Sequence, residues 1–354
     1  MLRDRRAFLR LAAGAASGAV LGRRRPAHAA GDDSRERRLR NVRQLTFGGQ
    51  NAEAYFDGTG TRVIFQSTRP PFSCDQIFVM NADGSDVRLV STGRGRTTCG
   101  FFFPDGRRVI YASTHLAGAP CPPAPDRSAG YVWALYPGYD IFSADVDGGN
   151  LQRLTDSEGY DAEGAVSPDG TRIVFTSLRD GDLDLYTMDA DGGGVRRLTR
   201  EAGYDGGAFY SWDGRFIVYR AARPEGAELE EYRARLRQGL LRPRRLEIFV
   251  MRADGTGVTQ VTRNGAANFA PFLHPDSRRV IFSSNLHDPG GRNFALYLVN
   301  VDGSGLERDL HGLVRLLSDV LSRRQAADLL GHPKRRGPAR HQRVRGRLGR
   351  RVSG

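Results

Sequence analysis

Between residues 42 and 308 the chain alternates short apolar runs with polar turns, and two kinds of turn take strict turns with one another. An aromatic or apolar residue, a Pro-Asp-Gly-like turn, one or two polar residues and an apolar run recur in five copies. They read YFDGTGTRVIF from Tyr55, FFPDGRRVIYAS from Phe102, VSPDGTRIVFTS from Val166, YSWDGRFIVYRA from Tyr210 and LHPDSRRVIFSS from Leu273. Each copy is followed by a second apolar run that ends on Asp-Gly: QIFVMNADG, DIFSADVDG, DLYTMDADG, EIFVMRADG and LYLVNVDG. Alternating apolar runs joined by Asp-Gly predict β-hairpins, with Gly supplying the positive φ of a type I′ turn at no steric cost. Two hairpins per copy give four strands. The turn glycines Gly84, Gly148, Gly192, Gly255 and Gly303 recur about every 44 to 48 residues, or about 64 where a loop is inserted, which is the period of a propeller blade. The expected fold is therefore all-β, a β-propeller of four-stranded blades, with five recognisable blades plus an incomplete sixth. A β-sandwich predicts no such period.

In a propeller the short turns fall on one face and the other connections on the opposite face. The long connections run from Thr114 to Tyr139, Arg223 to Glu247 and Asn285 to Asn293, and crowd that second face. The middle one, with Leu229, Tyr232, Leu236 and Leu240 at helical spacing, predicts a short helical insertion near residues 225–241. Binding surfaces come from loops on rigid scaffolds, so His115, Tyr131, Trp133, Tyr136 and His287 are candidate loop-face binding residues. They either present a surface for a peptide or sugar or pack the loops onto their blades. Innermost strands begin at the channel mouth and place Glu53, Asp161, Glu163, Asp205 and Asn268 around one opening. Such oxygens suit Ca²⁺ or a basic peptide end, or else cap backbone amides in channel water; no other cofactor is expected. Cys74, Cys99 and Cys121 lie towards the same face, match no zinc spacing and permit one disulfide between two of them.

The Ser-Pro-Asp-Gly turns, the Asp-Ala-Asp-Gly turns and the Leu-Thr endings at Leu45-Thr46, Leu154-Thr155 and Leu198-Thr199 resemble the TolB-type propeller, which is also seen at the N-terminus of prolyl-oligopeptidase relatives. The resemblance spans Val42 to Arg308. It implies six or seven blades around a channel, with Val42 to Thr46 as the outermost strand of the final blade. It also implies a binding role towards a protein, peptide or polysaccharide of the cell envelope. TolB carries an α/β domain before its propeller, and the segment Asp32 to Arg40 is too short to form one. The alternative is a propeller hydrolase or lyase acting on peptide or polysaccharide with a metal at the channel mouth. No Gly-x-Ser-x-Gly elbow, His-Glu-x-x-His helix or phosphate-cradling loop is written in the chain, so a non-enzymatic module is expected.

Charge adds two qualifications. Residues 1–30 hold +6 and residues 309–354 hold +9 of the net +13, which leaves the middle at −2 and argues against nucleic acid as a partner. Asp4-Arg5-Arg6-Ala7-Phe8-Leu9-Arg10, an Ala/Gly-rich apolar run and Ala27-His28-Ala29 resemble a twin-arginine export signal over residues 1–29. A linker over 30–41 would follow, and a periplasmic or secreted monomer without a membrane span after cleavage is expected. Where a sixth Pro-Asp-Gly turn is due, the chain reads VLSRRQAADLL from Val320 to Leu330. One permissible set of codons for these residues, shifted forward one base, encodes Phe-Ser-Pro-Asp-Gly-Arg-Arg-Leu-Ile-Phe. The same shift lets Asp309 to Val320 encode Thr-Tyr-Thr-Asp-Ser-Phe-Asp-Ser-Phe-Pro-Met-Phe, and His341 to Arg350 encode Thr-Asn-Val-Phe-Val-Ala-Asp-Trp-Val. A frameshift near Glu307 to Asp309 is the expectation. The competing reading is an apolar helical stripe, Leu313, Leu316, Leu317, Val320 and Leu321, ahead of a basic end.

Overall fold

The computed structural model describes residues 43–308 apart from 129, 289 and 292. The leader and the segment after 308, with the readings placed on them, lie outside the described residues. Five antiparallel four-stranded sheets follow one another, each in simple sequential order. The first consists of Gln50–Phe56, Arg62–Thr68, Gln76–Asn81 and Arg88–Leu89. The inner strands of the others are Thr97–Phe102, Asp161–Val166, Asp205–Tyr210 and Asn268–Leu273. The five-bladed propeller pattern is thus present as expected.

Within each blade the second and third strands are the hydrophobic layer. Arg172–Ser177 and Asp184–Asp189, for example, bury all but their turn-proximal ends. Apolar side chains on both strand faces meet neighbouring blades, so the runs read as continuously apolar rather than alternating. Burial of residues such as Ile64, Ile110, Phe175, Tyr219 and Phe282, each at most 1% exposed, holds blade to blade.

The Asp-Gly turns differ from expectation. Only the glycine has positive φ, between 84° and 92° at the five positions, while the Asp before it does not. The hairpin is therefore a type I turn closed by a left-handed glycine, and not type I′. Asp83, Asp147, Asp191, Asp254 and Asp302 accept the backbone N–H two residues on, which stabilises the type I geometry. Glycine is required here for a second reason. A Cβ on Gly192 would lie 2.6 Å from the Leu154 carbonyl of the preceding blade. Gly192→Ala should therefore cost at least about 2 kcal/mol, more than Gly181→Ala, where φ is also positive but the space is open. Urea unfolding of the two variants checks this; equal losses would remove the blade-contact part of the explanation.

Every inner strand also carries a bulge at its third core position. Register slips between Ala162 and Ala165, and at the matching place in the other four blades. The residues that absorb the slip are Glu53, Cys99, Glu163, Gly207 and Ala270, all at φ between 49° and 57°. A bulge of this kind re-aims one side chain out of the ladder. Here it turns five positions towards the channel.

Candidate functional site

The bulges, rather than the strand starts, set the channel chemistry. Glu163 accepts from Arg220 Nη2 at 2.7 Å, Tyr204 OH at 2.8 Å, Thr176 Oγ1 at 2.9 Å and the Gly207 amide at 3.0 Å. Thr176 belongs to the same blade as Glu163, and the other three bonds join the third blade to the fourth. The guanidinium of Arg220 also lies 5.2 Å from the Trp133 ring centroid and 5.3 Å from that of Phe269. Cation–π contact and the glutamate together offset the desolvation of a buried cation. Glu53 lies near Cys99, and burial raises its carboxyl pKa against the lowering influence of Arg220, with the Glu163 charge raising it further. Burial and the two glutamates push the Cys99 thiol well above its ordinary value, so it is a poor nucleophile.

Towards the other end the channel is stoppered. Tyr55, Phe101, Phe209 and Phe272 stand two residues beyond the bulge in their strands, with centroid distances from 4.2 to 6.5 Å. Between stopper and bulges there is a void of about 30 Å³ lined by Glu53, Cys99, Glu163 and Arg220, room for a water or two.

Of the five predicted channel-mouth residues, Glu53 and Glu163 reach this space. Asp161, Asp205 and Asn268 are fully buried two residues earlier in their strands. Asp161 pairs with Arg179 at 3.1 Å and Asp205 with Arg223 at 2.6 Å, while Asn268 donates to the Leu246 carbonyl at 2.6 Å. Sequence reading missed Arg220, Tyr204 and Gly207. The signal for Arg220 lay in the aligned second strands, where Gln66, Ala112, Thr176 and Ser283 hold its place and it alone is charged. Among the described residues no three His, Cys, Asp or Glu side chains converge to hold a metal ion.

The long-loop face closes over the channel. Trp133–Ala134 of the first long connection pairs antiparallel with Leu240–Leu241 of the second. The expected helix forms over Gly226–Leu236, with Tyr232 donating to Asp182. This two-stranded strap sets Trp133 over Arg220, Tyr204 and Phe269. Cys74 pairs with Cys121, which pins the first connection at a second point, and Cys99 stays free. Within that connection the Tyr136 hydroxyl donates to the Pro123 carbonyl at 2.7 Å. Tyr131 is 44% exposed and Leu116 58%. Trp133 Nε1 donates to Tyr131 OH at 3.0 Å and Arg127 lies over the same ring. His115 and His287 belong to the blades instead: His115 packs 4.5 Å from the Phe142 ring and sits by Ser113, and His287 packs near Tyr297. Burial lowers the His115 pKa, and the Arg94 charge adds to this, so its ring is neutral at pH 7.

A larger hollow, about 450 Å³, opens on the turn face between the third and fourth blades. Its carboxylates Asp169, Asp213 and Asp254 already accept backbone amides of their own turns, and Trp212 donates to the Leu273 carbonyl. The three carboxylates thus serve their turns, and the indole ties the fourth blade to the fifth.

Residues 131–238 match the TolB beta propeller domain family. The fold is similar to TolB from Acinetobacter baumannii, at 17% identity and TM-score 0.54, over 73% of this chain and 54% of that one. The chain therefore spans about half the length of that relative. It is also similar to a putative TolB from Agrobacterium tumefaciens, at 20% identity and TM-score 0.52, over 74% of this chain and 81% of that one. Hydrazine synthase from Kuenenia stuttgartiensis gives 14% identity and TM-score 0.53, over 74% of this chain and 39% of that one. At such identities the likeness is one of fold.

Proposed function

We propose, for a chain that is a TolB-like β-propeller, that it acts as an exported, non-enzymatic binding module whose long-loop face takes an extended segment of an envelope protein or peptide. The observation that carries this reading is the pre-ordering of the first long connection. It is held by a disulfide, a strand pair and a tyrosine hydrogen bond, yet it keeps Leu116 and Tyr131 exposed. A loop ordered before binding avoids most of the entropic cost of ordering it at the interface, and a Tyr with an Arg on its ring is a residue pair enriched at binding hot spots. A structural role for the channel is supported by its polar side chains, since Glu163, Arg220, Tyr204 and Thr176 bond to one another across it. Export is supported by the arginine-pair leader and by the disulfide, which forms in oxidising compartments. Among the described residues no helix is long and apolar enough to cross a membrane.

A photoreactive residue placed at Leu116 or Tyr131 should give discrete crosslinked adducts in the periplasm. The same residue at Val195 or Val258, exposed beside turns on the opposite face, should give none. Leu116→Ala with Tyr131→Ala should weaken capture of the crosslinked partner about tenfold or more. Equal labelling of both faces, or an unchanged affinity, would refute the assignment of the face.

A further inference from the structure

Each blade hands over to the next by one device. Blades one to four end on an apolar residue followed by Ser or Thr: Val90-Ser91, Leu154-Thr155, Leu198-Thr199 and Val261-Thr262. The hydroxyl accepts the amide of the second residue in its own blade's third strand. Ser91 accepts from Ile77 at 3.0 Å, Thr155 from Ile141 at 2.9 Å, Thr199 from Leu185 at 2.9 Å and Thr262 from Ile248 at 2.8 Å. The apolar residue's carbonyl then lies against the turn glycine of the following blade, Val90 on Gly148, Leu154 on Gly192, Leu198 on Gly255 and Val261 on Gly303.

The same device stands once more, ahead of the first blade. The Leu45 carbonyl lies against Gly84 as Val90 lies against Gly148. Thr46 is 8% exposed, close to the 4 to 6% of its four counterparts. Among the described residues, however, its buried Oγ1 has no hydrogen-bond partner and residues 43–47 pair in no strand. A buried unsatisfied hydroxyl is disfavoured by about 1–3 kcal/mol, so a site of this shape is built for a donor. The missing donor is the amide of a third strand, in a blade that would stand before the first.

We propose that Arg43 to Thr46 is the outermost strand of a sixth blade, and that its three inner strands are a further copy of this chain's repeat, encoded by codons 309–350 one base forward of the written frame. One permissible set of codons for the written residues, read one base forward, has the right grammar for the slot. Over codons 314–324 it gives Phe-Asp-Ser-Phe-Pro-Met-Phe-Ser-Pro-Asp-Gly, residue for residue the spacing of Tyr160 to Gly170, including the Asp that starts the inner strand. Its Pro falls where Pro271 stands in the fifth blade. Over codons 342–347 it gives Asn-Val-Phe-Val-Ala-Asp against Asp140-Ile141-Phe142-Ser143-Ala144-Asp145. The valine of that strand occupies the place of Ile141, whose amide is the one that Thr155 takes. Among the described residues no strand pairs with Arg43 to Thr46, and a sheet edge left without its partner strands invites aggregation.

Sequencing the source DNA across codons 300–354 tests the coding half: a one-base correction that restores the repeat is expected, and a confirmed written frame overturns it. The structural half is tested on full chains, written and frame-restored. The restored chain should melt in one transition about 10 °C or more above the written chain, with the amides of residues 43–46 protected from exchange only in the restored one. Thr46→Val should lower the melting temperature of the restored chain by a few degrees and leave that of the written chain unchanged or raised, because only the former has a donor to lose. Equal melting and equal exchange overturn the proposal. So does concentration-dependent protection of residues 43–46 in the written chain, which would assign the slot to a second copy. If the restored chain does not fold, a synthetic peptide of the shifted reading added to the written chain must raise its melting temperature; no shift overturns the proposal.

Discussion

Glu163→Ala should lower the stability of the propeller by about 3–5 kcal/mol, equivalent to a fall of roughly 10 °C in melting temperature. The side chain is 10% exposed and Arg220, its partner at 2.7 Å, is 11% exposed. Truncation leaves a buried guanidinium with only the Tyr204 hydroxyl, to which its Nε donates at 3.2 Å, and the π faces of Trp133 and Phe269 close around it. It also strips an acceptor from Tyr204, Thr176 and the Gly207 amide at once. Breaking one side of a buried pair costs far more than replacing both, so Glu163→Leu with Arg220→Met should recover most of the loss. A double-mutant cycle in urea reads both quantities. Additive losses would mean that the two residues do not act as a pair. A loss under 1 kcal/mol for Glu163→Ala would mean that water in the channel solvates Arg220 well enough without it.

Stability should also fall with rising pH through neutrality, and Asp205 should be the reason. Its side chain is fully buried, one oxygen accepts from Arg223 at 2.6 Å, and among the described residues the other oxygen accepts no hydrogen bond of normal geometry. Burial pushes its pKa up to about 7, against the opposing charge of Arg223. A carboxyl whose folded pKa exceeds its unfolded value of about 3.9 binds its proton more tightly when folded. Its contribution is therefore fully present below pH 4 and is lost as pH rises through 7. Between pH 5 and pH 8 that loss amounts to about 2–3 kcal/mol. Asp205→Asn keeps an acceptor for Arg223 and cannot ionise, so its stability should lack this slope. Unfolding free energies of both proteins at pH 5 and pH 8 decide the matter, and parallel pH profiles would clear Asp205.

Much of the architecture was legible because a propeller is local. A blade is a meander of neighbouring strands, and its turns are punctuated by Asp and Gly at fixed intervals. The apolar runs, the helix around Tyr232 and the separation of long loops from short turns all followed from spacing. The turn type did not: Asp-Gly is compatible with type I′, and the choice of type I plus a left-handed glycine reflects the contact of Gly192 with Leu154 in another blade. The channel residues were half legible. Asp161 and Glu163 are two apart and look alike in sequence, yet the bulge between them buries the first against Arg179 and turns the second into the channel.

What the sequence by itself determined is the repeat: strand count, blade period, the face that carries the insertions, and a place for one blade more than is complete. Only the tertiary structure decided which polar residues meet. Glu163 and Arg220 are 57 residues apart, Trp133 and Phe269 further still, and Cys74 was free to pair with either of two cysteines. The physical reason is that blade formation draws on contacts along the chain, whereas the channel, the strap and the Thr46 slot form between blades, where burial and unmatched hydrogen-bond donors arise only once the ring is assembled.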